Sequence, residues 1–94
     1  MSTHRPRYRY IAFRVEGDRP FRRDEVLDAL HALRDPLWLV GFQDPKGLVR
    51  CTHLRKDATI EALKTMATIA GIPVRVTTLG TSGTIRRATE KYLS

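Results

Sequence analysis

The residues best suited to chemistry lie in one run near the C-terminus, Gly80-Thr81-Ser82-Gly83-Thr84-Ile85-Arg86-Arg87. Two glycines favour a tight turn with positive φ, and the hydroxyl of Ser82 or Thr84 is placed to cap the helix that follows. The free N–H groups of a helix N-terminus attract anions, and the paired guanidinium groups can each hold phosphate oxygens. The run therefore predicts a phosphate-binding turn, although a plain glycine turn followed by two solvated arginines fits the same residues. It is not a nucleotide-binding P-loop, because the glycine spacing is wrong for that motif.

Positive charge is concentrated at the two ends of the chain. The 94 residues carry a net charge of +7, with a sequence pI near 10.3. Residues 1–23 hold seven Arg or Lys against two Asp or Glu, and residues 80–94 hold three against one, whereas the middle is neutral. This distribution predicts an acidic partner such as a nucleic acid, with a basic surface kept for solubility as the alternative.

Length and composition predict one small soluble domain at 7–94, preceded by a flexible basic arm at 1–6. Cys51 is the only cysteine, so no disulfide framework is expected, and the protein is expected in a reducing cytoplasm. Neither a signal peptide nor a membrane span is predicted. No pair of histidines has metal-ligand spacing, so neither a metal nor another cofactor is expected.

An alternating strand is predicted at 8–15. Tyr8, Tyr10, Ala12 and Arg14 would share one open face, with the apolar side chains on the other. The two tyrosines suit stacking on nucleic-acid bases, but they suit packing beneath a covering helix equally well.

The remaining pattern predicts the order β-α-β-β-α-β followed by a helix. The predicted elements are a helix at 22–33, strands at 37–42 and 48–54, a helix from 57 to Gly71, a strand at 74–79 and a helix at 84–93. The first two of these strands are joined by a turn at 44–47, in which proline sets φ and Gly47 is expected to supply an unusual backbone angle. This order is typical of an α/β sandwich of ferredoxin-like or RNA-recognition-like topology, with two helices on one face of a four-stranded antiparallel sheet. The other face is expected to present Tyr8, Tyr10, Arg14 and either Arg50 or Arg75. Trp38 is expected in the core or at a protein interface.

Three blocks of the sequence resemble the archaeal ribonuclease P protein component 2 family, the counterpart of a small eukaryotic ribonuclease P and MRP subunit. They are Arg9-Tyr10-Ile11-Ala12-Phe13-Arg14-Val15, Leu37-Trp38-Leu39-Val40-Gly41-Phe42 through Gly47-Leu48-Val49-Arg50, and Leu79-Gly80-Thr81-Ser82-Gly83-Thr84-Ile85-Arg86-Arg87. The third block is the most specific. Two departures stand out: only Asp35-Pro36 joins the first helix to the Trp-containing strand, and Arg22 stands where a small hydroxyl residue usually opens the first helix.

The resemblance implies a non-catalytic subunit that assists the catalytic RNA of ribonuclease P in removing the 5′ leader of precursor tRNA. It implies binding to the catalytic domain of that RNA and to protein component 3, in an assembly that can be two-plus-two. The implied RNA-contacting residues are Arg7, Arg9, Tyr10, Ser82, Gly83, Thr84, Arg86, Arg87 and Lys91.

Two other classes of protein share the predicted topology. An acylphosphatase-like enzyme would need an asparagine beside its arginine, and the chain contains no asparagine. A regulatory module that binds a small anionic ligand at Gly80–Thr84 is the remaining alternative.

Overall fold

A computed structural model of the chain describes residues 7–93, so the predicted arm at 1–6 lies outside the described residues. The strands are β1 (Tyr8–Glu16), β2 (Trp38–Gln43), β3 (Lys46–Thr52), β4 (Thr68–Ile69), β5 (Ile72–Pro73) and β6 (Arg75–Ser82). The helices are α1 (Arg23–His31), α2 (Lys56–Thr65) and α3 (Ile85–Ala88), with a 3-10 turn at His53–Arg55 before α2 and a π-helical turn at Thr89–Leu93 after α3.

Four strands form one antiparallel sheet in the order β2-β3-β1-β6. This confirms the predicted ferredoxin-like arrangement, with β4 and β5 added as a small separate hairpin. Register shifts interrupt two pairings, between Ala12 and Phe13 of β1 against β6 and between Leu39 and Gly41 of β2 against β3. Such bulges bend the strand and increase its twist.

The main core lies between the sheet and the two longer helices. Ile11, Phe13 and Val15 of β1 point to this side, as the alternation predicted, and pack with Val26 and Leu30 of α1. Leu63 of α2 and Ile69 of β4 close the same cluster, each without accessible surface.

A second apolar cluster covers the middle of the other face. The C-terminal segment, which comprises α3 and the π-helical turn at 85–93, packs Ala88 and Leu93 on Ala12 and Leu48. The partly buried side chains around this cluster are Tyr10, Val40 and Tyr92. The expectation that Ala12 lies on an open face is therefore wrong, because this segment folds back across the sheet and leaves Ala12 fully buried. Tyr10 packs at the margin of the same cluster, so the covering-helix alternative describes its ring.

The second helix is shorter than predicted. It ends at Thr65, and Met66 is already extended with ψ of 109°. Ala70 and Gly71, with φ of 52° and 77°, form the turn between β4 and β5 instead of a helix end. Ile69 is buried, and the β4 strand places it in the core. A β-branched residue tolerates this extended backbone better than a helix.

The turn between β2 and β3 is also tighter than predicted. Residues Asp44 and Pro45 make it, joined by a cis peptide bond, and Gly47 already belongs to β3. Gly47 does not supply a positive φ. A Cβ there would lie 2.5 Å from the Phe13 ring, so glycine is needed for the close approach of a core aromatic.

Candidate nucleic-acid interface

One row of side chains crosses all four strands near one end of the sheet. Trp38 of β2 pairs with Arg50 of β3, Arg50 pairs with Tyr10 of β1, and Tyr10 pairs with Ser82 of β6. Directly paired residues of antiparallel strands have side chains on the same face. We call these four residues the end row. It lies on the sheet face that carries the C-terminal segment, with Tyr10 at the margin of the part that the segment buries.

Arg50 organises the half of the end row away from β6. Its guanidinium carbon lies 4.5 Å from the centre of the Tyr8 ring and 5.5 Å from that of Trp38. Both distances are within the range of a cation–π contact, worth about 0.5–1 kcal/mol at an exposed site. The contacts hold Arg50 between two exposed aromatic rings, Tyr8 at 40% and Trp38 at 60% accessibility.

The run that begins at Gly80 forms the other half of the site, but not as a glycine turn. β6 continues through Ser82, which is half-buried beside Tyr10, and Gly71 is the only glycine with positive φ among residues 7–93. The predicted tight turn is therefore wrong, because Gly80, Thr81 and Ser82 complete the pairing with β1. Gly80 is needed for space, since a Cβ there would overlap the Tyr92 hydroxyl.

The predicted hydroxyl cap is confirmed at Thr84. Its Oγ1 accepts a hydrogen bond from the Arg87 N–H at 3.2 Å, and the Ser82 Oγ accepts one from the Thr84 N–H at 3.4 Å. Gly83 and Thr84 are exposed between them. This local network starts α3 directly beyond the end of β6.

The basic side chains of the C-terminal segment are exposed. Arg86 donates through Nε to a Glu90 carboxylate oxygen at 3.2 Å, whereas no ion pair of Arg87 appears in the described part of the chain. The Lys91 ammonium lies 5.4 Å from the centre of the Tyr92 ring. Arg87 is therefore the cation of this segment that is most available to an outside anion.

Arg7 and Arg9 reach the same end of the sheet from the start of β1. The Arg7 carbonyl accepts the His53 N–H at 2.7 Å, which fixes the entry of the chain. Arg9 pairs with Cys51, so its side chain leaves from the helix-covered face, opposite to Tyr10. The structure brings Tyr10 together with Ser82 and the residues that follow it. Arg7 and Arg9 lie at the same end of the sheet, but across its edge from these residues.

Charge is divided between the two ends of the sheet. The end row is surrounded by cations at the starts of β1, α2 and α3, and its nearby acids Asp35 and Glu90 are already in ion pairs with Arg55 and Arg86. The opposite end is mixed and internally paired, with contacts such as Arg14–Glu16 at 3.9 Å and Arg22–Asp24 at 3.5 Å. An anionic ligand would therefore be attracted to the end-row side.

The tightest ion pair belongs to the mixed end. Arg19 holds Glu25 through both guanidinium nitrogens, at 2.6 and 3.1 Å, and the Arg22 N–H donates to the same carboxylate at 3.0 Å. These hydrogen bonds, chiefly those from Arg19, lower the pKa of Glu25 from 4.5 to about 2. Glu25 in turn raises the pKa of Arg19. Glu25 therefore has a structural role at the start of α1.

Sequence reasoning overlooked two residues of this site. Trp38 was expected in the core or at a protein interface, yet it is exposed on an edge strand and not in the core. Arg50 was only one of two candidates for the open face. The signal that could have found them is alternation: counted from the buried residues Leu39 and Val49, Trp38 and Arg50 fall on the opposite face.

Residues 7–93 contain neither a membrane-spanning helix nor a metal-binding cluster. No helix among them is long and apolar enough to cross a membrane. Within the same range, no group of three or more His, Cys, Asp or Glu side chains is placed to hold a metal ion.

The sequence profile of the Rpp14/Pop5 family matches residues 30–93. The chain belongs to this family. The match begins in α1 and ends at the last described residue, so it includes Trp38, Arg50 and the whole run from Gly80 to Lys91. The resemblance inferred from three sequence blocks is thereby confirmed.

Archaeal members of the family align with nearly all of the chain. Ribonuclease P protein component 2 of Methanosarcina barkeri is 33% identical, covering 99% of this chain and 77% of that protein. The proteins of the same name from Thermococcus kodakarensis and Archaeoglobus fulgidus are 35% and 34% identical, over 98% and 95% of this chain and 88% and 91% of their own.

A solved structure supports the fold. One chain of the cryo-EM structure of yeast ribonuclease MRP superimposes with a TM-score of 0.56 at 15% identity, covering 88% of this chain and 79% of that chain. At this level of identity the likeness concerns the fold alone.

Proposed function

We propose that this chain is a protein subunit of ribonuclease P, the RNA-based endoribonuclease that removes the 5′ leader of precursor tRNA. The observation that carries the proposal is the alignment of proteins named ribonuclease P protein component 2 with 95% or more of the chain. In this role the catalytic RNA performs the cleavage. The protein contributes by binding that RNA and stabilising its folded form.

The RNA interface in this proposal is the cationic end of the sheet. Tyr10 and Ser82 lie side by side in the end row, and the exposed residues from Gly83 to Arg87 continue from Ser82. Arg7 and Arg9 extend the surface from β1, and Lys91 extends it along the C-terminal segment. Exposed guanidinium groups suit phosphates because each presents several donors in a rigid plane.

The proposal extends to partners and place. The chain binds the catalytic domain of ribonuclease P RNA and pairs with protein component 3 in a complex that can contain two copies of each. Precursor tRNA is then the substrate of the whole complex. Residues 7–94 act as the single RNA-binding domain, and the complex works in the cytoplasm.

A small-anion regulatory module has less support. That alternative needs a cradle at Gly80–Thr84, and the first three of those residues are occupied in strand pairing with β1. The archaeal relatives also carry the name ribonuclease P protein component 2, which does not favour that alternative.

The test compares two double variants, each of which replaces two arginines that are neighbours in sequence. Arg86→Ala with Arg87→Ala is expected to weaken binding to ribonuclease P RNA. The salt slope, which is the decrease in log affinity with log salt concentration, should become shallower by about 0.7–0.9 for each phosphate that the variant no longer neutralises. Arg22→Ala with Arg23→Ala removes the same charge at the mixed end and is expected to leave the slope near that of the wild type. Binding is measured by filter retention across a salt series, with an unrelated RNA of equal length as the reference.

Equal weak binding to both RNAs would contradict the proposed function. Preference for ribonuclease P RNA with equal slopes in the two double variants would leave the function in place and refute the assignment of Arg86 and Arg87. Both double variants should remain folded, because exposed side chains usually change stability by less than about 0.5 kcal/mol.

A further inference from the structure

Trp38 is the most unusual side chain on the surface. It is the only tryptophan of the chain, and 60% of it is accessible. Isolated exposed apolar residues are common, but a large aromatic ring left open on an edge strand forgoes the free energy that its burial would contribute. Its position therefore calls for a bound group that covers it.

The ring is held in place rather than free. Arg50 lies between Trp38 and Tyr8, at 5.5 and 4.5 Å from the two ring centres, and the pairing of β2 with β3 fixes the backbone beneath. When a flat group stacks on an aromatic ring that is already restrained in this way, the side chain loses less conformational entropy on binding. The arrangement is a preformed stacking platform.

A groove of about 290 Å³ opens beside the platform. Trp38, Arg50 and Thr52 line it from one face of the sheet, and Leu37, Cys51 and Thr59 line it from the helix-covered side, so the groove passes around the end of the sheet. The ion pair of Arg55 with Asp35 completes the wall. Two guanidinium groups against one carboxylate leave the groove net positive. Its size lies at the lower limit of small-ligand pockets, about 300 Å³, which suits a single flat ring and its phosphate.

We infer that Trp38, Arg50 and this groove bind one unpaired RNA nucleotide, with its base stacked on Trp38 and its phosphate towards Arg55. Every base has a π-face that stacks on an aromatic ring, so the platform accepts an unpaired base of any sequence. The inference deepens the proposed function and rests on it, since it names a contact for the same RNA outside the Ser82–Arg87 run. Charge complementarity favours RNA over an apolar protein surface, which would have to desolvate both arginines.

The single tryptophan makes the contact directly observable. A short oligouridylate, and separately ribonuclease P RNA, is titrated into the wild-type protein while Trp38 fluorescence and filter retention are followed on the same samples. We expect stacking to quench the emission with the same midpoint as retention. Addition of protein component 3 alone is expected to leave the emission unchanged.

Three variants accompany the titration. Trp38→Ala is expected to weaken RNA binding by roughly 5- to 150-fold, the range for removal of one base–aromatic stack, while the salt slope stays constant. Trp38→Phe keeps a smaller aromatic face and should weaken binding clearly less than Trp38→Ala. Leu54→Ala is the matched control, because Leu54 is apolar and 84% accessible at the same end of the sheet but belongs to neither the platform nor the groove. Circular dichroism melting checks that all three fold as the wild type does.

The outcomes distinguish failure of the nucleotide site from failure of the proposed function. RNA retention with unchanged Trp38 emission, and wild-type affinity for Trp38→Ala, would overturn the nucleotide site while the proposed function stands. Emission that responds to component 3 and not to RNA would make the platform a protein interface and also overturn the inference. Absence of preference for ribonuclease P RNA in the filter assay would instead refute the proposed function.

Discussion

At the start of α1, the chain lacks a hydroxyl cap, and a carboxylate binds the N–H of the cap residue. Arg22 occupies the cap position and its guanidinium has no acceptor to offer a backbone N–H. Glu25 instead accepts the Arg22 N–H and both donors of Arg19. One side chain three residues later thus satisfies the N–H of the cap residue itself, and not the first-turn N–H groups that a small hydroxyl residue would bind.

This arrangement makes Glu25 an acid-sensitive residue. Its pKa falls from 4.5 to about 2 on folding, so the native state holds a proton here less tightly than the unfolded chain. The stabilisation is therefore complete above about pH 4.5 and disappears as the pH falls towards 2. We expect Glu25→Gln to be less stable than the wild type at pH 7, with a difference in Tm that narrows below about pH 4.5.

The measurement is thermal unfolding from about pH 7 to about pH 2, which spans both pKa values. Asp24→Asn is the control, because Asp24 is exposed and its single contact with Arg22 is 3.5 Å. A gap between wild type and Glu25→Gln that stayed constant with pH would show that the Arg19 contact does not contribute through the charge of Glu25.

Glycines show the limit of residue-level prediction. The sequence predicts that Gly47 and Gly80 are constrained positions, but it predicts a backbone angle as the constraint. Each is instead fixed by an aromatic ring from a distant part of the chain, Phe13 for Gly47 and Tyr92 for Gly80. Sequence alone contains no indication of such tertiary approaches.

At the scale of elements, the C-terminal segment has two roles. Ala88 and Leu93 bury the middle of the sheet face, while the first turn of α3 presents Arg86 and Arg87 to solvent. The Thr84 cap closes this turn, and the hydrogen bond from the Thr84 N–H to the Ser82 Oγ links it to the end of β6. Packing and the candidate RNA contact therefore depend on the same short segment.

Thr84→Ala removes the cap and is expected to destabilise the segment by about 1 kcal/mol. The amides of Arg87 and Ala88 should then exchange with solvent about fivefold faster, since both depend on the first turn of α3. Thr84→Ser keeps the accepting oxygen and should exchange nearly as the wild type does. Equal exchange in all three proteins would mean that packing of Leu93, rather than the cap, determines the opening of this segment.

The order of the main elements was predictable because their hydrophobic periods are clear. The residues at which the elements begin and end were harder to predict. The segment after Thr65 contains apolar residues at helical spacing, and only the antiparallel contact of Thr68 with Pro73 reveals a hairpin. Likewise, β6 extends through two apparent turn residues because β1 offers partners for them. Pairing with a distant strand outweighs local propensity at these positions.

For the whole molecule, the basic ends of the sequence become one basic end of the fold. β1 begins where β6 finishes, so Arg7 and Arg9 lie near the run that ends at Arg87. The sequence predicted this concentration in outline. It did not predict the share of the middle segment, which carries no net charge as a whole but adds Arg50 and Arg55 to the same end.

The division of charge predicts that position outweighs net charge in RNA binding. Arg7→Ala with Arg9→Ala is expected to lower the salt slope for ribonuclease P RNA by up to about 1.4–1.8, the equivalent of two phosphates. Arg14→Ala with Arg75→Ala has the same change in net charge at the other end of the sheet and is expected to leave the slope unchanged. Filter binding over a salt series measures both, and equal slopes for the two double variants would argue for a delocalised basic surface.

The strand order also has a consequence for how the chain acquires its fold. β1 is synthesised before β3 and β6 and lies between them, so the edge that faces β6 stays without its partner until β6 has been made. Ala12 remains uncovered for longer, because Ala88 and Leu93, which pack on it, follow β6 in the chain. Contacts so far apart in sequence form slowly, and an open strand edge is prone to pair with other chains. A growing polypeptide of this family would therefore benefit from a binding partner or chaperone while β1 waits for β6.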